Sequence, residues 1–142
     1  MKKSTKFSDV LHILLHMTSS SEPIVSESLA KAMKTNPVVV RRTMAGLRER
    51  GFVSSEKGHG GGWVLSCDLK KVTLYDVYSA IGSPSMLALG NRSDFSGCFL
   101  EKAVNNTMRK TFDEAEKVIL NRLKEITLES LYFGIKENKY EK

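Results

Sequence analysis

The segment that most restricts the fold of this chain is Lys57-Gly58-His59-Gly60-Gly61-Gly62, set between two short apolar runs. Phe52-Val53-Ser54-Ser55 precedes it and Trp63-Val64-Leu65-Ser66 follows it. Runs this short, rich in β-branched and aromatic residues and joined by glycines that reach backbone conformations closed to other residues, predict a β-hairpin with a glycine-rich tip. A lone hairpin is at best marginal in water. It must therefore lie against helices supplied by the flanking sequence.

Those helices are legible upstream. Phe7, Val10, Leu11, Leu14 and Leu15 recur at helical spacing and predict a one-faced helix over 6–18. The polar stretch from Thr18 to Glu22 and then Pro23 close it. Ser26 is expected to cap a short helix reaching Lys34. Asn36 can cap the next, and Pro37 suits its first position, where a missing N–H costs little. That third helix spans 37–50, with Val40, Met44 and Leu47 as its inner stripe and Gly51 as its stop. The stripe leaves Arg41, Arg42, Ala45 and Arg48 outside.

Downstream of the hairpin, Thr73 is expected to cap a helix through Leu74, Val77, Tyr78 and Ile81. Residues 82–97 form a Ser- and Gly-rich loop, of a length that is usually functional or mobile. From Phe99 the pattern is helical again. Leu100, Val104, Met108, Phe112, Ala115, Ile119, Leu123 and Ile126 mark one helix of roughly 40 Å. So long a stripe cannot be buried by so small a body, and its simplest cover is a second copy about a two-fold axis. Thr127 caps a final short helix holding Leu128, Leu131 and Tyr132, and the charged tail from Lys136 is expected to fray.

Charge adds direction. The 142 residues carry a net +6, but residues 1–62 hold +5 of it and the remainder only +1. The basic excess marks the N-terminal half as the part that meets phosphate. No run approaches the roughly 18 apolar residues of a spanning helix, and folds that need well over about 200 residues are excluded by length. Cys67 and Cys98 are too few for a secreted disulfide scaffold and fit a reducing cytoplasm. Met1-Lys2-Lys3 is followed by Asp9, His12 and His16 with no small-x-small cleavage site, unlike a signal peptide.

Two helices joined by a tight turn, then a hairpin with a basic glycine-rich tip, describe a winged helix-turn-helix. The fold class is mainly α, with a two-stranded wing and a long C-terminal dimerisation helix. Helix 37–50 is narrow enough for a major groove, and Lys57 and His59 on the wing would reach a neighbouring minor groove or backbone. At this point the chain resembles the Rrf-two family of bacterial transcription regulators. The resemblance rests on Thr35-Asn36-Pro37-Val38-Val39-Val40-Arg41-Arg42, on Leu47 through Ser55, on Lys57 through Trp63, on Val72-Thr73-Leu74-Tyr75-Asp76-Val77-Tyr78, and on Cys98 with its long helix. It covers nearly the whole chain, and the Asn-Pro-Val-Val-Val-Arg-Arg run is similar to the YwnA-type, cluster-free branch.

The resemblance implies a homodimer on a near-palindromic operator of double-stranded DNA, usually as a repressor. It implies that Val38, Arg41 and Arg42 face base edges and that Lys57 is the basic wing residue. The DNA-binding set is Thr35, Asn36, Val38, Arg41, Arg42, Arg48, Lys57 and His59. The chain divides into a winged-helix domain (1–81), a hinge with the sensor cysteine (82–98) and dimerisation helices (99–142). In cluster-bearing members the loop before the long helix holds three cysteines. Here Cys98 takes the last of those positions, with Arg92 and Met86 where the others would stand. A cluster needs about four ligands, so no iron–sulfur cluster or other cofactor is expected. Cys98 then reads as a thiol at a helix start, activated by the dipole and aided by Arg92 and Lys102, suited to sensing oxidants or electrophiles. Cys67 reads as a buried packing residue. A disulfide between the two would need Cα atoms within about 7 Å.

Other signals are weaker. His59-Gly60-Gly61-Gly62 resembles an esterase oxyanion motif without its Gly-x-Ser-x-Gly partner, and neither a complete dinucleotide fingerprint nor a Walker A run is present. An enzyme is therefore not expected. His12 and His16, four apart on one helix, could chelate a metal, but no third ligand is evident, so a solvated or interfacial pair is expected and no metal site is assigned. Trp63, Tyr75, Tyr78 and Phe95 could line a small-molecule pocket but are expected in core and hinge packing, and Lys2, Lys3 and Lys6 either touch phosphate or form a basic end. The resulting reading is a cytoplasmic, homodimeric DNA-binding repressor, without membrane contact, that senses oxidants through Cys98. The alternatives are the same regulator answering to a small-molecule ligand or partner protein, or a protein-interaction module.

Overall fold

Capping side chains and one glycine fix the frame on which everything else is hung. The computed structural model describes residues 6–58, 61–85 and 98–140, with 135–140 described by backbone alone. The elements are α1 (Lys6–Thr18), α2 (Ser26–Ala32), α3 (Pro37–Glu49), β1 (Val53–Glu56), β2 (Gly62–Leu65), α4 (Leu74–Ala80), α5 (Phe99–Glu125) and α6 (Leu128–Tyr140). Asn36 caps α3, its side chain accepting from the Val39 N–H at 3.1 Å, with Pro37 at the first position. Gly51, at φ +76°, ends it. Gly51 N–H donates to Arg48 O and Phe52 N–H to Leu47 O, so two orphan carbonyls are satisfied as the chain turns into the wing. Thr73 and Asp76 exchange side-chain and backbone bonds as a capping box at the start of α4.

The wing is an antiparallel pair in which Val53 faces Leu65 and Ser55 faces Trp63. It has a third backbone partner. Ile24 and Trp63 exchange N–H···O bonds of 2.9 Å in both directions, stitching β2 to the loop after α1. Gly62 lies so close to this bridge that a Cβ on it would stand 2.7 Å from the Ile24 carbonyl oxygen. That contact explains a glycine there in terms of space.

Val10, Ile13, Leu14 and Met17 of α1 meet Leu29, Val40, Met44, Leu47, Val53 and Val77 in one core. α5 contributes no buried residue, yet Leu123 and Ile126 at its C-terminal end and Leu128 beyond it pack on that same core. Three backbone bonds fix this elbow: Leu74 N–H to Ile126 O, Leu128 N–H to Val72 O and Glu129 N–H to Leu69 O. Thr127 and Ser130 cap α6 reciprocally at 3.1 Å.

Several expectations need correction. Ser26 is not a cap. Val25 holds that position, and the Ser26 hydroxyl instead accepts from the buried Trp63 indole N–H at 3.0 Å, which needs a partner more than the helix end does. α2 stops at Ala32, and Lys34 takes a left-handed φ of +52° in the turn. The final helix is not short: it continues to Tyr140 through the segment expected to fray. Cys67 is half-buried rather than buried. Each strand is displaced by one residue toward the tip.

One buried group stands out. Thr43, on the inner face of α3, is 4% exposed, and its hydroxyl has no hydrogen-bond partner among the described residues. Thr43→Val keeps the shape and removes an unpaired polar group, so it raises stability by about 1 kcal/mol. A shift of the urea midpoint to higher concentration at unchanged slope checks this.

Candidate nucleic-acid interface

Helical spacing puts Val38, Arg41, Arg42 and Ala45 on one side of α3, opposite the buried Val40, Thr43, Met44 and Leu47. Val38 is 56% exposed, and Arg41 and Arg42 are exposed beside it; Ala45 is half-buried at the edge of that face. Two guanidiniums with an apolar neighbour match what a major groove offers, since Arg reads guanine with a bidentate fork and an aliphatic side chain meets a thymine methyl. Asn36 sits at the N-terminal end of the same helix, its carbonyl oxygen committed to the cap. Thr35 is half-buried, its N–H donating to Ala30 O at 2.9 Å.

Arg48 behaves differently. Its guanidinium donates to the Ser55 hydroxyl at 3.3 Å and lies 5.6 Å from the centre of the Trp63 ring. It bridges α3 to both wing strands, a contact of cation–π character at its Trp63 end. Lys57 is exposed at the end of β1. His59 lies outside the described residues, as do Met86, Arg92 and Phe95. The structure thus brings Val38, Arg41 and Arg42 together on one face and turns Arg48 toward the wing.

Two features escape pattern reasoning. Lys34 is an exposed cation in the turn between α2 and α3, next to Thr35 and Asn36. Its signal is its place one residue before the Thr-Asn-Pro boundary. The Ile24–Trp63 bridge is the other, and the apolar pair Ile24-Val25 after Pro23 is the only trace it leaves in the sequence.

Cys98 is the N-cap residue of α5 and is exposed. Its thiol is held below the ordinary cysteine value, first by the backbone amide of Glu101 and then by that of Leu100. The sulfur makes no capping hydrogen bond of ordinary geometry, so the effect is the attraction of nearby N–H groups for a thiolate. Lys102 is not among its causes. Cys67 is shifted the opposite way, upward, chiefly by burial. Between the end of α1 and β2 there is a half-open cleft of about 330 Å³, lined by Met17, Ser20, Glu22, Ile24, Trp63 and Leu65 among others.

The donor set of the described residues does not fit an iron–sulfur cluster. Among the described residues no three His, Cys, Asp or Glu side chains converge as metal ligands. A cluster draws on about four ligands, mostly thiolates, and Cys67 and Cys98 are the chain's two cysteines.

Residues 3–133 match the sequence profile of the Rrf2 (Rrf-two) family, described as iron-dependent transcriptional regulators. YwnA of Bacillus subtilis, assigned as an HTH-type transcriptional regulator, is 28% identical over 120 residues, covering 84% of this chain and 89% of YwnA. A Lactobacillus plantarum protein crystallised as a transcriptional regulator superposes with a TM-score of 0.70 at 20% identity, over 96% of this chain and 98% of that one. The oxidized form of Staphylococcus aureus CymR gives 0.64 at 17% identity, over 93% and 96%. At these identities the two structures speak for the fold alone. No helix among the described residues is long and apolar enough to cross a membrane. The profile spans nearly the whole chain and the winged helix carries exposed arginines on α3, so this chain belongs to the Rrf2 family of DNA-binding transcriptional regulators, which are not enzymes.

Proposed function

We propose that this chain is a cytoplasmic repressor that binds a near-palindromic operator as a homodimer and releases it when Cys98 is modified by an oxidant or electrophile. One observation carries the reading. Cys98 caps α5 at the same end where Phe99, Leu100, Val104 and Met108 are left exposed, Phe99 at 82%. A second copy covering that face would place the activated thiol at the rim of the dimer contact, where an adduct changes how the two helices meet. In this division residues 1–81 bind DNA, 82–98 carry the signal and 99–142 pair the copies. A fold neighbour, CymR, is recorded in an oxidized form.

Fluorescence anisotropy with DNA from upstream of the protein's own gene tests the reading. Reduced protein binds, and raising salt from 50 to 200 mM weakens binding by about a thousandfold to a hundred-thousandfold if six to ten phosphates are neutralised. Hypochlorite or a quinone abolishes binding by the wild type and leaves Cys98→Ser unaffected. Equal loss in both would retire the thiol. The opposite pKa shifts add a second check: at neutral pH iodoacetamide labels Cys98 before Cys67, because the thiolate is the reactive form.

The cleft beside β2 favours a second reading, in which a small amphipathic ligand is the effector. It mixes Met17, Ile24 and Leu65 with Ser20 and Glu22, and it adjoins the bridge that anchors the wing. In that case Cys98→Ser leaves the response intact.

A further inference from the structure

The outer side of α1 carries two imidazoles that lie outside the proposed DNA-binding set. His12 and His16 stand one helical turn apart, both exposed, with their Nε2 atoms 3.0 Å from each other. The ring centroids are 4.6 Å apart and the planes are inclined at 47°, so the rings converge at their tips instead of stacking. In the metal-free protein the two Nε2 atoms share one hydrogen bond, its donor set by the tautomer.

The spacing has a second meaning. Bonds from imidazole nitrogen to a divalent first-row metal are about 2.0–2.1 Å. An ion bonded to both Nε2 atoms at that length, across a gap of 3.0 Å, subtends an N–metal–N angle of about 94°. That is the cis angle of an octahedral or square-planar ion, narrower than the roughly 109° of a tetrahedral one. The site needs no backbone movement: the two residues lie on a regular helix whose other face, Val10, Ile13, Leu14 and Met17, is locked in the core. The helix backbone beneath both ligands is therefore already fixed, and binding has only the two side chains to order.

We propose that His12 and His16 form a bidentate surface site for a divalent metal of the nickel or copper class. Each Nε2 is a ligand, the two are cis, and water completes the shell. Since no third protein ligand converges with them among the described residues, the site is exchangeable, unlike a closed structural one. It is separate from Cys98, which lies at the start of α5, and it is not an iron–sulfur site.

The test uses untagged, full-length protein with Cys67→Ser and Cys98→Ser, so that thiolates do not compete for metal. Wild-type protein with alkylated thiols is the second background should that variant fold poorly. Calorimetric titration with Ni²⁺ gives one ion per chain, and saturating metal raises the melting temperature. Removing either imidazole, by His12→Gln or His16→Gln, weakens binding at least about tenfold, because the second contact is lost as an intramolecular one. The metal-free melting temperature is unchanged, since both side chains are exposed. Cu²⁺ binds more tightly than Ni²⁺, and its electron paramagnetic resonance spectrum shows two equivalent nitrogens. Three results would overturn the assignment: variants that bind Ni²⁺ as tightly as the parent, a Cu²⁺ spectrum with a single nitrogen, or Zn²⁺ preferred over Ni²⁺. Any of these would leave the pair as a hydrogen-bonded dyad only.

Discussion

Replacing Arg41 and Arg42 together by alanine lowers operator affinity by at least about a thousandfold. A guanidinium that reads a base edge or holds a phosphate contributes about 1–3 kcal/mol. In the proposed dimer four are lost at once, a minimum of about 4 kcal/mol, and each 1.4 kcal/mol is a factor of ten. Both side chains are exposed on the face of α3 opposite its core stripe. Helix content and unfolding midpoint should therefore match the wild type. The singles separate the roles. A base-reading arginine relaxes the preference for operator over scrambled DNA when removed. A phosphate-holding one weakens both equally and reduces the salt slope by about one per chain. Anisotropy against operator and scrambled duplexes, each at several salt concentrations, measures both. Affinity within threefold of wild type for the double variant would show that α3 does not face the groove.

The second large effect is on stability. Leu128→Ala destabilises the chain by about 3–5 kcal/mol, the range for a leucine removed from a site that cannot collapse around the gap. Leu128 is fully buried, and its own N–H is bonded to Val72 O, so the elbow holds the space open. Against total stabilities of about 5–15 kcal/mol for a domain of this kind, that is a large fraction. Urea denaturation followed by circular dichroism reads it directly. Val118→Ala, at an exposed position on the preceding helix α5, is the control and moves the urea midpoint little. A small loss at Leu128 would mean that the elbow is not part of the cooperative core.

Legibility in the sequence followed the range of the interactions concerned. Asn36, Pro37 and Gly51 act within a few residues of where they stand, and the ends of α3 were readable from them alone. The stripe of Val40, Met44 and Leu47 was readable because a helix repeats its faces. Ser26 misled because two acceptor roles competed for it, and the winner was Trp63, which lies far along the chain. Arg48 shows the same limit at the interface. Periodicity places it on an outer face, but Ser55 and Trp63, brought near by the hairpin, decide where the side chain goes. The elbow at Thr127 and the Ile24 bridge are pairings across the fold, and local pattern carries no register for such contacts. Composition located the basic half, while the choice between phosphate and base for each arginine depends on a partner the sequence does not contain.

The long helix has a mechanical consequence. α5 is a rod of roughly 40 Å, held at its C-terminal end by the elbow, with Phe99, Leu100 and Val104 exposed toward its opposite end. A rod clamped at one end is a lever. A tilt of about 10° at the root moves its far tip by about 7 Å, some two residues' length of extended chain. Read in reverse, a displacement imposed at the tip, where Cys98 sits, is delivered at the root as a small, forceful rotation. The recognition helix and the wing share the root's core and are cross-braced by Arg48, so they turn as one rigid head. In the proposed dimer, an adduct at the sulfur would thereby be geared down to a fine angular adjustment of two such heads against a fixed groove spacing.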